Sequence, residues 1–233
     1  MKDDNIELEL YLVRHGESMG NAGLADALCN DLKHDPPLTE KGEKQAELLG
    51  RYFADCPLDA LFASGMRRAL QTAEAVRFYQ PANGAKSVQV HKVFTECNTG
   101  EDTKGRTIKE INLDFPQAVC AFETEETERI MFYGEDDSDA VLLARGKEAI
   151  SYIRRHFYKG EKVMVAAHAA FNTFMLYAAL GLSHEQIFDP SFYNTGITKI
   201  IFFKEGTGKF GDVHLEYMNS IPHLVDTYPD MKY

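Results

Sequence analysis

The chain has 233 residues and a formal net charge of −11, with 44% hydrophobic and 26% charged side chains. A chain of this size can bury a core without disulfides or metals, so we expect a single domain over residues 1–233. The negative charge argues against non-specific binding to nucleic acid or to an anionic membrane surface. The cysteines lack metal-ligand spacing, which favours reduced thiols in a cytoplasmic protein; they are Cys29, Cys56, Cys97 and Cys120.

The first third of the chain alternates apolar runs with amphipathic stretches. Thr39 is a candidate N-cap, and the apolar spacing after it predicts a helix over about residues 40–55. Ser64 is a candidate cap for a second helix, whose apolar face includes Ala69, Ala73 and Val76. The predicted strands are Glu7–Val13, Leu58–Ala63 and Val88–Val93.

The segment over residues 98–139 differs in character from the rest. It holds several glycines, Pro116 and a run of acids between Glu123 and Glu128. We expect it to be a partly helical insertion that caps one edge of the sheet.

The last part returns to a regular alternation. An amphipathic helix is predicted up to about Lys159, followed by a buried strand over Val163–Ala167 and a buried helix over Phe171–Leu180. The final two strands, predicted to be antiparallel neighbours, are Ile197–Phe203 and Val213–Met218. Strands that alternate with helices favour an α/β layered sheet.

No membrane association is expected. The weakly charged stretch from Val163 to Leu182 is long enough to span a bilayer. However, His168, Asn172 and Thr173 interrupt it, so a strand leading into a buried helix explains it better. The acidic N-terminus also lacks a signal-peptide core, which agrees with a cytoplasmic protein.

Basic side chains follow three of the predicted strands. Arg14 and His15 end the first strand, Arg67 and Arg68 follow the second, and His168 follows the strand at Val163–Ala167. Ligands of open α/β sheets bind at the carboxyl ends of the strands. A single histidine is usually structural, but two at equivalent strand ends, one beside an arginine, predict a phosphate site with His15 as nucleophile.

An ordered set of motifs carries a family resemblance. The motifs are Arg14-His15-Gly16-Glu17, Asn21, Pro37-Leu38-Thr39-x-x-Gly42-x-x-Gln45-Ala46, Ser64-x-x-x-Arg68-Ala69-x-Gln71-Thr72-Ala73, Glu96-x-x-x-Gly100 and His168. Together they resemble the histidine phosphatase superfamily, the phosphoglycerate mutase-like group, over about residues 8 to 203. The resemblance implies a three-layer α/β/α sandwich with a mostly parallel, mixed sheet and a small inserted cap.

The resemblance also implies roles for single residues. His15 is the phosphate-accepting nucleophile, and Glu96 donates a proton to the leaving group. The remaining phosphate-binding residues are Arg14, Arg68, His168 and Asn21, with Ala169 in a position where the family usually has glycine. The substrate is a small phosphorylated molecule, no cofactor or metal is expected, and homodimer formation stays open.

Elementary chemistry agrees with these roles. His15 must attack as neutral imidazole, and the charges of Arg14 and Arg68 disfavour the imidazolium form. Its second ring nitrogen is expected to donate to a backbone carbonyl. Guanidinium forks suit the oxygens of a transferring phosphoryl group. The register of the motif that runs from Ser64 to Ala73 favours Arg68 over Arg67 as the phosphate-binding arginine. For the proton donor, Glu96 has two acidic alternatives on the same loop, Glu101 and Asp102.

The segment over residues 98–139 bears on the choice between hydrolase and mutase. A mutase holds a bisphosphorylated intermediate and needs extra cations in the cap. Acids outnumber bases there, which favours hydrolysis of a phosphate monoester; the cations are Lys104, Arg106, Lys109 and Arg129. Phosphoglycerate mutase activity, metal-dependent hydrolysis and a catalytically silent phosphate-binding protein remain as alternatives. A Rossmann domain is disfavoured, because no GxGxxG follows the first strand.

Overall fold

A seven-stranded mixed sheet forms the centre of the molecule. The computed structural model describes residues 4–97, 103, 105–125, 127–131, 137–186 and 188–225. The strand order is β4-β3-β2-β5-β1-β6-β7, with β4 through β1 parallel and β6 antiparallel to both of its neighbours. The strands are β1 (Ile6–Arg14), β2 (Ala60–Ala63), β3 (Val88–Val90), β4 (Ala118–Cys120), β5 (Glu161–Ala167), β6 (Ile197–Phe203) and β7 (Val213–Ser220).

Helices cover both faces of this sheet. They are α1 (Asn30–His34), α2 (Glu40–Tyr52), α3 (Arg67–Tyr79), α4 (Ile108–Asp114), α5 (Asp139–His156), α6 (Ala169–Leu180) and α7 (Pro222–Val225). Alternate residues of β1 point to opposite faces. Leu10 and Leu12 join the core with α5 and α6, whereas Tyr11 and Val13 join the core with α2 and α3. This is the predicted three-layer α/β/α sandwich.

Most of the predicted elements exist, and their ends differ for local reasons. Thr39 caps α2 as predicted, since its Oγ1 accepts a hydrogen bond from the Gly42 N–H at 3.0 Å. The cap predicted at Ser64 is wrong: α3 begins at Arg67 with Met66 at the N-cap. The third strand stops at Val90, because His91 then caps a short 3-10 turn.

The segment over residues 98–139 contributes a strand to the sheet. Its strand β4 pairs in parallel with β3, and α4 starts with a capping box between Thr107 and Glu110. Residues 98–102, 104, 126 and 132–136 lie outside the described residues. The assignment of the whole segment as a cap therefore stays a prediction.

Three neighbouring strands end side by side at one edge of the sheet. In the register of the sheet, Ala63 of β2 lies beside Ala166 of β5, and Arg14 of β1 lies beside Ala167. Ser64, His15 and His168 follow these strand ends directly. Within the described ranges, no helix is both long and apolar enough to cross a bilayer.

Candidate active site

His15 is a buried histidine whose ring is held in one orientation. His15 is 3% exposed, and its backbone N–H donates to the Ala167 carbonyl at 3.0 Å. Nδ1 lies 2.6 Å from the Gly16 carbonyl oxygen, which can only accept, so Nδ1 carries the proton. Nε2 then has the lone pair, and it accepts a hydrogen bond from Arg68 Nε at 3.1 Å.

The electrostatic surroundings keep this ring neutral. Burial is the main cause that holds the pKa of His15 well below its ordinary value, and the charges of Arg68 and Arg14 add to it. A neutral imidazole whose lone pair is on Nε2 has the protonation form that a nucleophile needs. The geometry therefore matches the form expected from the sequence.

His168 is the second buried ring of the site. It lies at the N-cap of α6 and is 0% exposed, with its ring centroid 5.2 Å from that of His15. Its Nε2 lies 2.9 Å from Ser64 Oγ. Burial, followed by the charge of Arg68, lowers the pKa of His168 well below its ordinary value. Ser64 thus contacts a site residue, whereas its place after a strand and before a helix had indicated a helix cap.

Two arginines face this pair of histidines. Arg14 donates from Nη1 to the Phe192 carbonyl at 2.7 Å, and Arg68 contacts His15 from the first turn of α3. Burial lowers the pKa of both guanidiniums. Arg67 points elsewhere and forms an ion pair with Asp114 at 2.6 Å. The structure thus brings Arg68, not Arg67, to His15.

Glu96 reaches the same edge of the sheet from the loop after β3. Its Oε1 accepts hydrogen bonds from the Cys97 N–H at 2.9 Å and from the Phe171 N–H of α6 at 3.0 Å. Its charge acts on both Arg14 and Arg68, opposing the lowering of their pKa values. The acidic rivals at positions 101 and 102 lie outside the described residues.

Asn21 lies at the rim of the site and is exposed. Its Oδ1 accepts from the Ser18 N–H at 3.2 Å and from Asn194 Nδ2 at 3.3 Å. Asn194 also donates to the His15 carbonyl at 3.0 Å and is only 7% exposed. Asn194 therefore connects Asn21 with the backbone of His15, and nothing in its local sequence distinguishes it from an ordinary loop asparagine.

Several motif residues hold the loop after β1 in place. Thr72 Oγ1 accepts from the Gly16 N–H at 3.0 Å, and Gln45 Oε1 accepts from the Glu17 N–H at 2.8 Å. The Glu17 carboxylate in turn forms an ion pair with Lys41 at 2.8 Å. These contacts fix the backbone on the C-terminal side of His15, so these residues act by positioning.

An open cleft lies next to the arginine and histidine cluster. It has a volume of about 660 Å³ and runs between the start of α6 and the segment over residues 189–194. Its lining includes Arg14, Ala169 and Thr173. Ala169 is the first residue of α6, directly after His168. This volume lies in the range of small-ligand sites.

His223 on the C-terminal helix α7 contacts the loop that precedes β6. His223 Nε2 lies 2.9 Å from Thr195 Oγ1, and the Thr195 N–H donates to the Arg14 carbonyl at 3.0 Å. Thr195 has a φ of 55°, which is rare for a β-branched residue, so these contacts hold a strained backbone. Burial lowers the pKa of His223 to about 4.

His223 is expected to make the protein less stable in acid. An unfolded histidine takes up a proton near pH 6.5, while folded His223 does so only near pH 4. Stability therefore falls as the pH drops through this window, by about 1.4 kcal/mol per pH unit for one such group. Urea unfolding between pH 4 and 7.5 should show a shallower pH dependence for His223→Gln than for the parent. Parallel curves would contradict this origin of the acid sensitivity.

Within the part of the chain that the structure describes, no three His, Cys, Asp or Glu side chains converge to hold a metal ion. The guanidiniums of Arg14 and Arg68 are cations that face the two histidines.

Comparisons with known proteins give matches over most of the chain. The family model described as the histidine phosphatase superfamily (branch 1) matches residues 10–210. Phosphoserine phosphatase 1 of Hydrogenobacter thermophilus is 29% identical over 178 residues, which cover 75% of this chain and 77% of that protein. Proteins named phosphoglycerate mutases are matched as well.

Two further matches extend over most of the chain. A 2-carboxy-D-arabinitol-1-phosphatase of Arabidopsis thaliana, named as probable, is 26% identical over 92% of this chain, which spans only 42% of that protein's length. The solved structure of Bacillus stearothermophilus YhfR has a TM-score of 0.63 and 25% identity, and the match covers 93% of this chain and 99% of that one.

Proposed function

Since the chain belongs to branch 1 of the histidine phosphatase superfamily, we propose that it hydrolyses small phosphate monoesters through a phosphohistidine at His15. One arrangement carries the proposal. His15 is neutral, its Nδ1 is held by the Gly16 carbonyl, and its Nε2 faces Arg68. The lone pair of the nucleophile lies beside a guanidinium that can bind phosphate, so a phosphate group that takes the place of this hydrogen bond would meet Nε2.

The first chemical step transfers the phosphoryl group to the enzyme. His15 Nε2 forms a bond to phosphorus while the bond between phosphorus and the ester oxygen breaks. Arg14, Arg68 and His168 stabilise the equatorial oxygens, where negative charge accumulates. Glu96 gives its proton to the departing oxygen, so the leaving group departs as an alcohol.

The second step returns the enzyme to its starting form. The Glu96 carboxylate takes a proton from a water molecule, whose oxygen attacks the phosphorus of the phosphohistidine. The bond between Nε2 and phosphorus breaks, and the lone pair returns to Nε2. Inorganic phosphate then leaves the pocket. Dividing one displacement into two steps is the advantage of a covalent nucleophile.

Charge pairing around α4 supports a hydrolase over a mutase. Arg106 lies 3.1 Å from Asp114 and 3.5 Å from Asp35, and Arg129 lies 3.5 Å from Glu110. Both guanidiniums thus have acidic partners. Lys109 is exposed, and residue 104 lies outside the described residues. Paired arginines attract a second phosphate group weakly, and this favours monophosphate esters.

A substrate panel tests the proposal. We expect release of inorganic phosphate from p-nitrophenyl phosphate and from some sugar, glycerate or amino acid phosphates, at rates that EDTA does not change. Rapid quenching should trap a phosphoenzyme that is labile in acid and stable in base. High mutase turnover with weak hydrolysis would favour the mutase alternative. Vanadate binding without turnover would favour a silent binding protein, and inhibition by EDTA a metal-dependent hydrolase.

A further inference from the structure

Arg145 is a buried cation that the proposed steps do not use. It lies on α5 and is only 4% exposed. Burial of an arginine is costly unless its donors are satisfied and its charge is compensated. Its contacts therefore indicate what it stabilises.

These contacts lie on both sides of Glu96 in the sequence. Arg145 Nη2 donates to the Thr95 carbonyl at 3.0 Å and lies 3.7 Å from Cys97 Sγ. Its guanidinium carbon also stands 4.2 Å from the centroid of the Phe171 ring, a cation–π contact. One side chain thus connects the loop that carries Glu96 with the first turn of α6.

The same two residues hold the carboxyl group of Glu96. The N–H groups of Cys97 and Phe171 both donate to Glu96 Oε1, at 2.9 and 3.0 Å. Arg145 contacts the side chains of both donors. A shift of Arg145 would therefore move both backbone donors and, with them, the carboxyl group.

We propose that Arg145 is a positioning residue for proton transfer by Glu96. It fixes the spacing between Cys97 and Phe171, so that both amides bind Oε1 and Oε2 carries the proton to the leaving oxygen. The inference rests on the proposed function, because it assumes that Glu96 is the proton donor. Close packing of the two helices supports a rigid arrangement: a Cβ on Gly146, the next residue of α5, would lie 2.5 Å from the Phe174 carbonyl oxygen of α6.

The leaving group separates positioning of the acid from a general structural role. p-Nitrophenolate departs without a proton, whereas the alkoxide of glycerol phosphate needs one. For Glu96→Gln we expect kcat/KM to fall about 100-fold or more on glycerol phosphate and much less on p-nitrophenyl phosphate. Arg145→Met should lower kcat/KM about 10-fold on glycerol phosphate and about 2-fold on p-nitrophenyl phosphate. The loss is smaller than for Glu96→Gln because the acid is displaced and not removed.

Two further variants test the connection between Arg145 and Glu96. Arg145→Lys keeps a donor for the Thr95 carbonyl and should recover most of the loss. The double variant with Glu96→Gln and Arg145→Met should be no slower on glycerol phosphate than Glu96→Gln alone, because residues acting through one group are not additive. Thermal unfolding and inhibition by vanadate check that each variant folds and keeps its phosphate pocket.

Each outcome decides between the two proposals. The role of Arg145 would be overturned if Arg145→Met lowered kcat/KM equally on both substrates, or if the losses of the two single variants added up in the double variant. The proposed function would remain in either case. If Glu96→Gln shows no dependence on the leaving group, the assignment of the acid fails and the role of Arg145 fails with it. If Arg145→Met does not fold, Arg145→Gln is measured in the same way.

Discussion

Replacing His15 by alanine is expected to lower kcat/KM for phosphate ester hydrolysis by about 10⁴-fold or more, as loss of a covalent nucleophile does in other enzymes. The side chain supplies the lone pair on Nε2 that Arg68 Nε contacts at 3.1 Å. Alanine keeps the backbone hydrogen bond from residue 15 to the Ala167 carbonyl, so the sheet edge should stay intact. The fall in kcat/KM should therefore come from the chemical step and not from a change in the fold.

The measurement combines steady-state kinetics with trapping of the phosphoenzyme. In His15→Ala, the acid-labile phosphoenzyme should disappear, while vanadate or phosphate still binds through Arg14 and Arg68. The matched control is His156→Ala, which removes an exposed histidine at the end of α5. Its activity should stay within about 2-fold of the parent, as for other surface changes remote from a site. Hydrolysis that survives in His15→Ala would rule out the phosphohistidine mechanism.

The strands that carry the site were predictable from the sequence because their C-terminal parts are buried on both faces. Leu10–Val13 of β1 and Val163–Ala167 of β5 are continuous apolar runs that end at polar residues. β4 was not predicted. It is three residues long at the edge of the sheet, and its middle residue, Val119, is exposed. A strand that short has no periodicity to detect.

The residues proposed to act in catalysis had sequence signals, whereas the contacts of some residues that support them did not. His15 and His168 follow strand ends, and Arg68 follows another at the start of a helix. Ser64 contacts His168, which is 104 positions away in the chain, and Asn194 contacts His15, which is 179 positions away. Such contacts depend on the packed fold, and even the motif that contains Ser64 does not reveal its partner. Arg145 is similar, since its partners lie about 50 positions away.

The backbone around His15 is tightly packed against α2, and Gly42 is the point of closest approach. A Cβ built on Gly42 would lie 1.9 Å from the Glu17 carbonyl oxygen and 2.9 Å from the Glu17 nitrogen. In the opposite direction, a Cβ on Gly16 would lie 2.5 Å from the Gly42 carbonyl oxygen. All of these neighbours are backbone atoms, so no flexible side chain can move aside.

Gly42→Ala is therefore expected to destabilise the protein and to impair catalysis together. Alanine in a helix normally gains about 1 kcal/mol over glycine, but the overlap with Glu17 costs more, so we expect a net loss of about 2–3 kcal/mol. Because Glu17 is two residues from His15, a displacement of about 1 Å should also reduce kcat/KM by about 10²-fold.

Thermal unfolding and kinetics of the same preparation measure both effects of Gly42→Ala. The melting temperature should fall by about 4–12 °C for a domain of this size. Glu43→Ala is the matched control, since it adds no atoms to the contact and changes an exposed residue in the same turn of α2. It should stay within about 0.5 kcal/mol of the parent. A Gly42→Ala variant with unchanged stability and activity would mean that the loop after β1 can move away from α2, and that its packing does not fix His15.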